Sequence, residues 1–404
     1  MSSRWTALAL VTATYALSAV AALAAAPLAP FLRDALALSR AQAGLFLPAL
    51  YLGGVFMAVP AGWLTDRLGV RTTLALGQAL TGAAVALAGA AAGLPALLGW
   101  LALAGFGFSV SNPATGRAIV EWFPSRYRGL AMGIKQTGLT LGGVLGALTL
   151  PPIAAALGWR RAFLVAGTAA LAAATLVASL YRRPRSAPAS APAARPRWSE
   201  VGAILGRPGV RVVFVAGFLL SLTQASILAY LALYAREAFG LSAVAAGRLL
   251  ALAQAGGTLA RLGAGWISDR YLGGRRRPGV VATGLLAAVA FTVLGAGGRL
   301  PLGVVVPLAF LAGAGAFGWV GLYFALVAEI GGSRWAGTLT GVAVIFAWSG
   351  ILVGPVVFGA VAEATGAWAA AWLLLAALGL AAAVAVARVG PLVARPGGRD
   401  PGAA

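Results

Sequence analysis

Two cations stand inside apolar stretches where nothing obvious balances them. Lys135, in "AMGIKQTGLTLG", is the single lysine of a 404-residue chain whose other positive charges are all arginines. Arg261, in "LARLGAGWISD", is the second. Lys135 follows Arg128 by seven residues, about 10 Å along a helix, and Arg261 precedes Asp269 by eight, about 12 Å. An ionisable group at the centre of a membrane helix costs roughly 2.5–3.5 kcal/mol on insertion scales, so each is a candidate functional residue. The nine acids are Asp34, Asp66, Glu121, Glu200, Glu237, Asp269, Glu329, Glu363 and Asp400. All of them fall at span ends or in loops, the linker or the tail. Two buried cations without a buried anion need a neutralising partner, and an anionic ligand would supply one. The competing reading for Lys135 is a side chain that snorkels to the interface. For Arg261 it is a structural partner of helix ends.

Other chemistries are excluded. With no cysteine and no histidine there is no disulfide framework, no thiol or imidazole metal site, and no Ser-His or Cys-His catalysis. No G-x-x-x-x-G-K-[ST] run occurs, so no cofactor and no ATP drive is expected. The net charge of +21 does not indicate nucleic acid, because the arginines lie in loops between apolar spans. Polar and aromatic residues suited to a small ligand do lie inside the spans. Gln254, Thr258 and Arg261 share one helical face, and Trp319 and Tyr323 are a turn apart. Tyr51, Asn112, Gln224 and Trp348 lie in other spans, with packing as the alternative role for the aromatics.

The elements that position these residues follow from composition. The chain is 61% hydrophobic and only 10% charged. Apolar runs long enough to cross a bilayer recur throughout, and lipid leaves the helix as their solution. Twelve spans are expected, at roughly 7–31, 41–65, 72–92, 95–120, 127–155, 161–181, 209–235, 241–268, 279–297, 301–328, 335–361 and 367–388. The first is too long an apolar stretch for a signal peptide and reads as a span. The expected organisation is a six-helix bundle over 1–181, a Pro/Ala/Ser/Arg-rich cytoplasmic linker over 182–208, a second six-helix bundle over 209–390, and a tail over 391–404. With both termini cytoplasmic, 19 arginines fall on the cytoplasmic side and 6 outside, which sets the orientation.

The two halves repeat. "GWLTDRLG" at 62–69 returns as "GWISDRYLGG" at 265–274. Glu121, Ser125, Arg126, Gly129 and Gly133 return as Glu329, Ser333, Arg334, Gly337 and Gly341, all 208 residues on. Such duplication is common in transporters, whose substrate sites lie between the repeats near the midplane. The run from Gly62 through Asp66, Arg67 and Gly69 to Arg71 resembles the major facilitator superfamily signature G-x-L-x-D-R-x-G-x-R. The Gly265, Asp269 and Arg270 copy falls between the eighth and ninth spans, as in that family. The resemblance covers the whole chain. It implies an all-α fold of twelve helices in two pseudo-twofold bundles with inverted 3+3 repeats, spans 5 and 8 meeting between the halves, and a monomer. It also implies a gate. Gly62 and Gly265 would allow close helix approach, and Asp66 and Asp269 would cap helices of the opposite half. Arg67, Arg71 and Arg270 would pair with Glu121 or Glu329.

Arg261 four residues before Gly265 is similar to the R-x-x-x-G of monocarboxylate and oxalate–formate carriers, where the arginine holds a substrate carboxylate. The "RGLAMGIKQTG" stretch is similar to their fifth span. Those carriers place an acid one turn before the arginine. Here that position is Gly257, so their proton-coupling scheme lacks its acid. The expectation is a secondary transporter in a prokaryotic cytoplasmic membrane, with an organic anion held between Arg261 and Lys135 and membrane lipid as its surroundings. An exporter of neutral or hydrophobic compounds is the alternative. A non-transporting sensor is disfavoured by the short linker and tail.

Overall fold

A computed structural model of the chain describes residues 3–184, 198–297 and 300–389. The linker core at 185–197 and the tail from 391 lie outside the described residues, as do the repeat's side chains at 125, 126, 333 and 334 and its glycine positions 129 and 337. No strand occurs among the described residues.

Among the described residues fourteen helices follow one another: α1 (Arg4–Ala22), α2 (Ala25–Leu36), α3 (Arg40–Ala43), α4 (Phe46–Ala88), α5 (Leu94–Ser109), α6 (Ser111–Trp122), α7 (Ser125–Leu157), α8 (Trp159–Leu180), α9 (Trp198–Gly206), α10 (Pro208–Phe239), α11 (Ala243–Tyr271), α12 (Arg277–Leu294), α13 (Leu302–Ala364) and α14 (Trp368–Arg388). Eleven stretches among the described residues are long and apolar enough to cross a membrane, from Arg4–Leu36 to Trp368–Arg388. The difference from twelve lies in α4. This helix runs through both the second and third expected spans, and only its Pro60–Ala88 portion is among the eleven. Inside α4 the chain turns at Gly69, whose φ of 76° is a left-handed conformation that glycine adopts without a side-chain clash. The expected semi-extended linker also differs at its end, because "WSEVGAILG" forms α9. That run has left the proline-rich composition behind and regained apolar residues.

Helices α1 to α8 pack chiefly on one another, and α10 to α14 likewise, giving two groups that correspond to the two repeats. They meet where α7 crosses α11, where α2 meets α10, and where α3 and α4 meet α13. Spans 5 and 8 are therefore neighbours, as the resemblance implied. The α7–α11 crossing is tight: Gly143 faces the Gln254 amide, and Gly247 faces Pro151 and the Ala147 carbonyl, with no room for a side chain at Gly247. In the second half, aromatic rings fill the space beside α10. Tyr234 and Phe358 both lie 5.0 Å from Trp372, edge to face.

The chain ends its helices where polar residues must be placed. Ser39 forms a capping box with Gln42 and so starts α3 at Arg40. Gly240, with φ 65°, stops α10 just after Glu237. Both devices bring charged side chains to the same end of the interface between the halves.

Candidate functional site: a cavity between the two halves

A cavity of about 130 Å³ opens between the two helix groups. The first half contributes Tyr15 from α1, Leu50, Tyr51 and Gly54 from α4, Phe108 and Ser109 from α5, Asn112 from α6, and Gln136 from α7. The second half contributes Ser221 and Gln224 from α10, Arg261 from α11, and Trp319, Phe324 and Trp348 from α13. Gly105 also lines it, and a side chain there would collide with the Leu50 carbonyl, so the glycine sets how closely α5 approaches α4. Tyr51 and Trp348 meet edge to face across the halves at 5.9 Å.

Arg261 is half-buried in this wall. Its Nε donates to the Phe317 carbonyl at 2.8 Å, and its guanidinium carbon lies 6.0 Å from the Phe317 ring centroid. Its Nη1 is buried with no hydrogen-bond partner, and so is the Gln224 Oε1. No acid lines the cavity among the described residues. A buried, unpartnered guanidinium donor is an expensive arrangement on its own and favours a ligand that brings an oxygen anion.

Six of the ten residues expected to bind substrate come together here: Tyr51, Asn112, Gln224, Arg261, Trp319 and Trp348. Four do not line the cavity. Gln254 is buried against Gly143 at the α7–α11 crossing, and Thr258 turns its hydroxyl onto the Gln254 carbonyl at 2.9 Å. The face they share with Arg261 is the packing face of α11, so helical spacing alone did not separate cavity from contact. Tyr323 packs on Trp319 at 5.2 Å and points its hydroxyl at Gly217, away from the cavity.

Lys135 is the fourth. It does not snorkel: only 3% of it is exposed. Its Nζ donates to Asn112 Oδ1 at 2.5 Å, Thr115 Oγ1 at 3.2 Å and the Asn112 carbonyl at 3.4 Å. The Tyr15 ring centroid lies 5.5 Å away. Lys135 thus sits behind Asn112 and Tyr15, within its own half, rather than facing Arg261 across the cavity. The sequence missed Tyr15, Ser109, Gln136 and Ser221, whose signal was a polar group inside an apolar span.

The expected gate residues are placed differently from expectation. Asp66 bonds Arg117, which also bonds Glu121 at 3.2 Å. Glu121 further receives Arg183 at 3.6 Å and the Tyr181 hydroxyl at 3.1 Å. In the second half Arg276 joins Asp269 at 2.5 Å and Glu329 at 3.2 Å. Among the described residues, the contacts of each cluster lie inside its own half. The acids are therefore paired by Arg117 and Arg276, not by Arg67, Arg71 or Arg270. Arg67 stacks on Trp63, and Arg71 donates to the Ala178 carbonyl at 2.6 Å. Gly62 and Gly265 are not close-approach points here, since a side chain at either would meet nothing within 4 Å.

At the opposite end of the interface, polar contacts do cross it. Glu237 of α10 receives Arg33, Arg40 at 2.7 Å, and the Trp368 indole N–H at 3.2 Å. Arg236 bonds Asp34 at 2.5 Å, the Ala41 N–H donates to Glu363 at 2.8 Å, and the Tyr230 hydroxyl donates to the Arg40 carbonyl at 2.7 Å. This latch was not foreseen. Its signal was that three of only nine acids stand at span ends on this side.

Fold and cavity together define a solute carrier of two repeated helix groups. The Major Facilitator Superfamily model matches residues 9–355, and the chain belongs to that family. It is 30% identical over 361 residues to an uncharacterized MFS-type transporter of Mycobacterium tuberculosis strain CDC 1551, covering 88% of this chain and 78% of that one. It is 25% identical to the hexuronate transporter of Bacillus subtilis, covering 92% and 91%. Among solved structures, a bacterial homolog of the human lysosomal transporter Spinster, inward-facing and occupied, superimposes with a TM-score of 0.76 at 18% identity over 96% of both chains. The protein is a multi-pass membrane transporter for a small molecule, of the kind found in bacterial cytoplasmic membranes, and not an enzyme.

Proposed function

We propose that the protein carries a small organic anion, a carboxylate, by alternating access around the cavity between its halves. The observation that carries this reading is the buried, unpartnered Nη1 of Arg261 in a wall that has no acid among the described residues. A carboxylate would complete that guanidinium, and Gln224 would take a hydroxyl or other donor of the same solute. The hexuronate carried by the B. subtilis relative is of this chemical class. A neutral or hydrophobic cargo would leave the guanidinium donor unmatched. In this reading twelve spans place both termini in the cytoplasm, and the arginine-rich Asp66 end faces inward. The Arg40–Glu237 latch then closes the outer side, and the motif end is the side that opens.

The test is binding by thermal shift of the purified protein, with D-glucuronate against D-glucose as its neutral counterpart. Wild type is expected to prefer D-glucuronate. Arg261→Gln is expected to bind it about 10- to 100-fold more weakly, the range for a lost charge-assisted hydrogen bond of about 1.5–3 kcal/mol. Equal affinity of wild type and Arg261→Gln for D-glucuronate would overturn the role of the arginine.

A further inference from the structure

Lys135 has three donors and finds three oxygens: Asn112 Oδ1, the Asn112 carbonyl and Thr115 Oγ1. The Thr115 hydroxyl spends its own proton on the Ser111 carbonyl at 2.6 Å, which leaves a lone pair toward the lysine. No carboxylate is among these partners, and Lys135 is 3% exposed. An ammonium group has no acceptor. With Lys135 protonated, the atom of the Asn112 amide turned toward Nζ at 2.5 Å is therefore the oxygen. The amide's other end, its NH₂ group, is then turned away from the lysine. Asn112 is itself exposed and lines the cavity. A lone asparagine there could offer a substrate either its oxygen or its NH₂. With Lys135 behind it, it offers donors.

We propose that Lys135 is a positioning residue that fixes Asn112 as a hydrogen-bond donor toward the cavity, and that the Lys135–Asn112 pair makes the first half's wall select anions over neutral solutes. This rests on the reading of the cavity as an anion site and extends it. Arg261 presents donors from the second half, and Asn112 presents them from the first. The lysine's charge, one side chain back, holds the asparagine without touching the substrate. Lys135 thereby keeps a role in anion recognition while giving up the direct contact that its sequence position suggested.

The experiment is a double-mutant cycle read as a selectivity. Affinities for D-glucuronate and D-glucose are measured by thermal shift for wild type, Lys135→Met, Asn112→Ala and the double variant. Lys135→Met is expected to lose about tenfold of the preference for D-glucuronate while its affinity for D-glucose, the reporter of an intact cavity, stays within about twofold. Asn112→Ala should lose a similar factor, and the double variant no more than either single one, because the lysine acts through the asparagine. Lys135→Arg keeps a donor-only group at 135 and should retain most of the preference, which provides a second handle if Lys135→Met fails to fold. Full selectivity in Lys135→Met, or losses that multiply in the double variant, would overturn the proposal. If Arg261→Gln abolishes the preference while Lys135→Met keeps it, the anion site stands and the lysine's role falls. If wild type shows no preference, both fall together.

Discussion

The two ends of the interface are made from the same side chains and differ in how far those side chains reach. At the Arg40 end, Glu237 of the second half takes Arg33 and Arg40 of the first, Arg236 takes Asp34, and Glu363 takes the Ala41 N–H. At the Asp66 end, Arg117 joins Asp66 to Glu121 within the first half, and Arg276 joins Asp269 to Glu329 within the second. A pair that crosses the interface contributes to the free-energy difference between two arrangements of the halves. A pair confined to one half travels with it and contributes little. In the proposed cycle the latch biases which end is closed, and the motif clusters stiffen each half when their end opens.

The largest effect should come from the centre of the latch. Glu237 is only 18% exposed and holds two arginines from the other half. Glu237→Gln removes the charge both arginines are paired with, for about 2 kcal/mol after allowing for partial exposure, or roughly a 30-fold shift in the equilibrium between arrangements. The chain has no cysteine, so spin labels at Ala35→Cys and Ala364→Cys, one in each half, report without background. A longer distance population is expected to appear in Glu237→Gln. An unchanged distribution would show that packing, not the ion pairs, holds this end shut.

The same labels sharpen the contrast at the other end. Asp66 is 66% exposed and pairs within its own half. Asp66→Asn should leave the Ala35–Ala364 distances as in wild type while lowering D-glucuronate uptake by up to about fivefold, the worth of about 1 kcal/mol, with surface expression intact. If Asp66→Asn opens the latch as Glu237→Gln does, the two ends are coupled more strongly than pairs confined to one half allow. Unchanged uptake would remove the motif from the transport cycle altogether.

Much of this was legible in the sequence. Apolar runs and lipid's demand for satisfied backbone groups fix helices almost everywhere, and the duplicated motif places the halves. Arg261 was legible because an unpaired arginine in an apolar span has few uses. Lys135 was only half legible. Its depth could be counted from Arg128, but which way a side chain turns on a helix depends on which neighbour offers oxygens, and Asn112 and Thr115 belong to another helix. Gln254 and Thr258 failed for the same reason: α11 presents one face both to the cavity and to α7, and spacing cannot divide it. The latch was the largest omission. Arg33, Arg40 and Glu237 are ordinary loop charges until the chain brings positions about 200 apart in sequence together.

The motif clusters carry one more lesson of this kind. The acids repeat, Asp66 with Asp269 and Glu121 with Glu329, but the arginine that joins each pair does not. Arg117 lies one turn before Glu121, and the position 208 residues on is Ala325. Arg276 lies beyond the motif, and the position 203 residues before it is Thr73. Each half thus bridges the same two carboxylates from a different site, which is why motif positions alone pointed to Arg67, Arg71 and Arg270. The bridge should therefore be movable. Arg276→Ala removes the second half's bridge and is expected to lower thermal stability slightly, by about 1 kcal/mol or less for pairs as exposed as these. Adding Ala325→Arg places an arginine four residues before Glu329, as Arg117 stands before Glu121, at a favourable spacing for a helical ion pair. Part of the lost stability should return, by a few tenths of a kcal/mol, and the recovery should shrink at high salt as exposed pairs are screened. If Ala325→Arg gives the same shift whether or not Arg276 is present, the two arginines do not serve one bridge. The difference between the halves would then lie in their packing rather than in a displaced arginine.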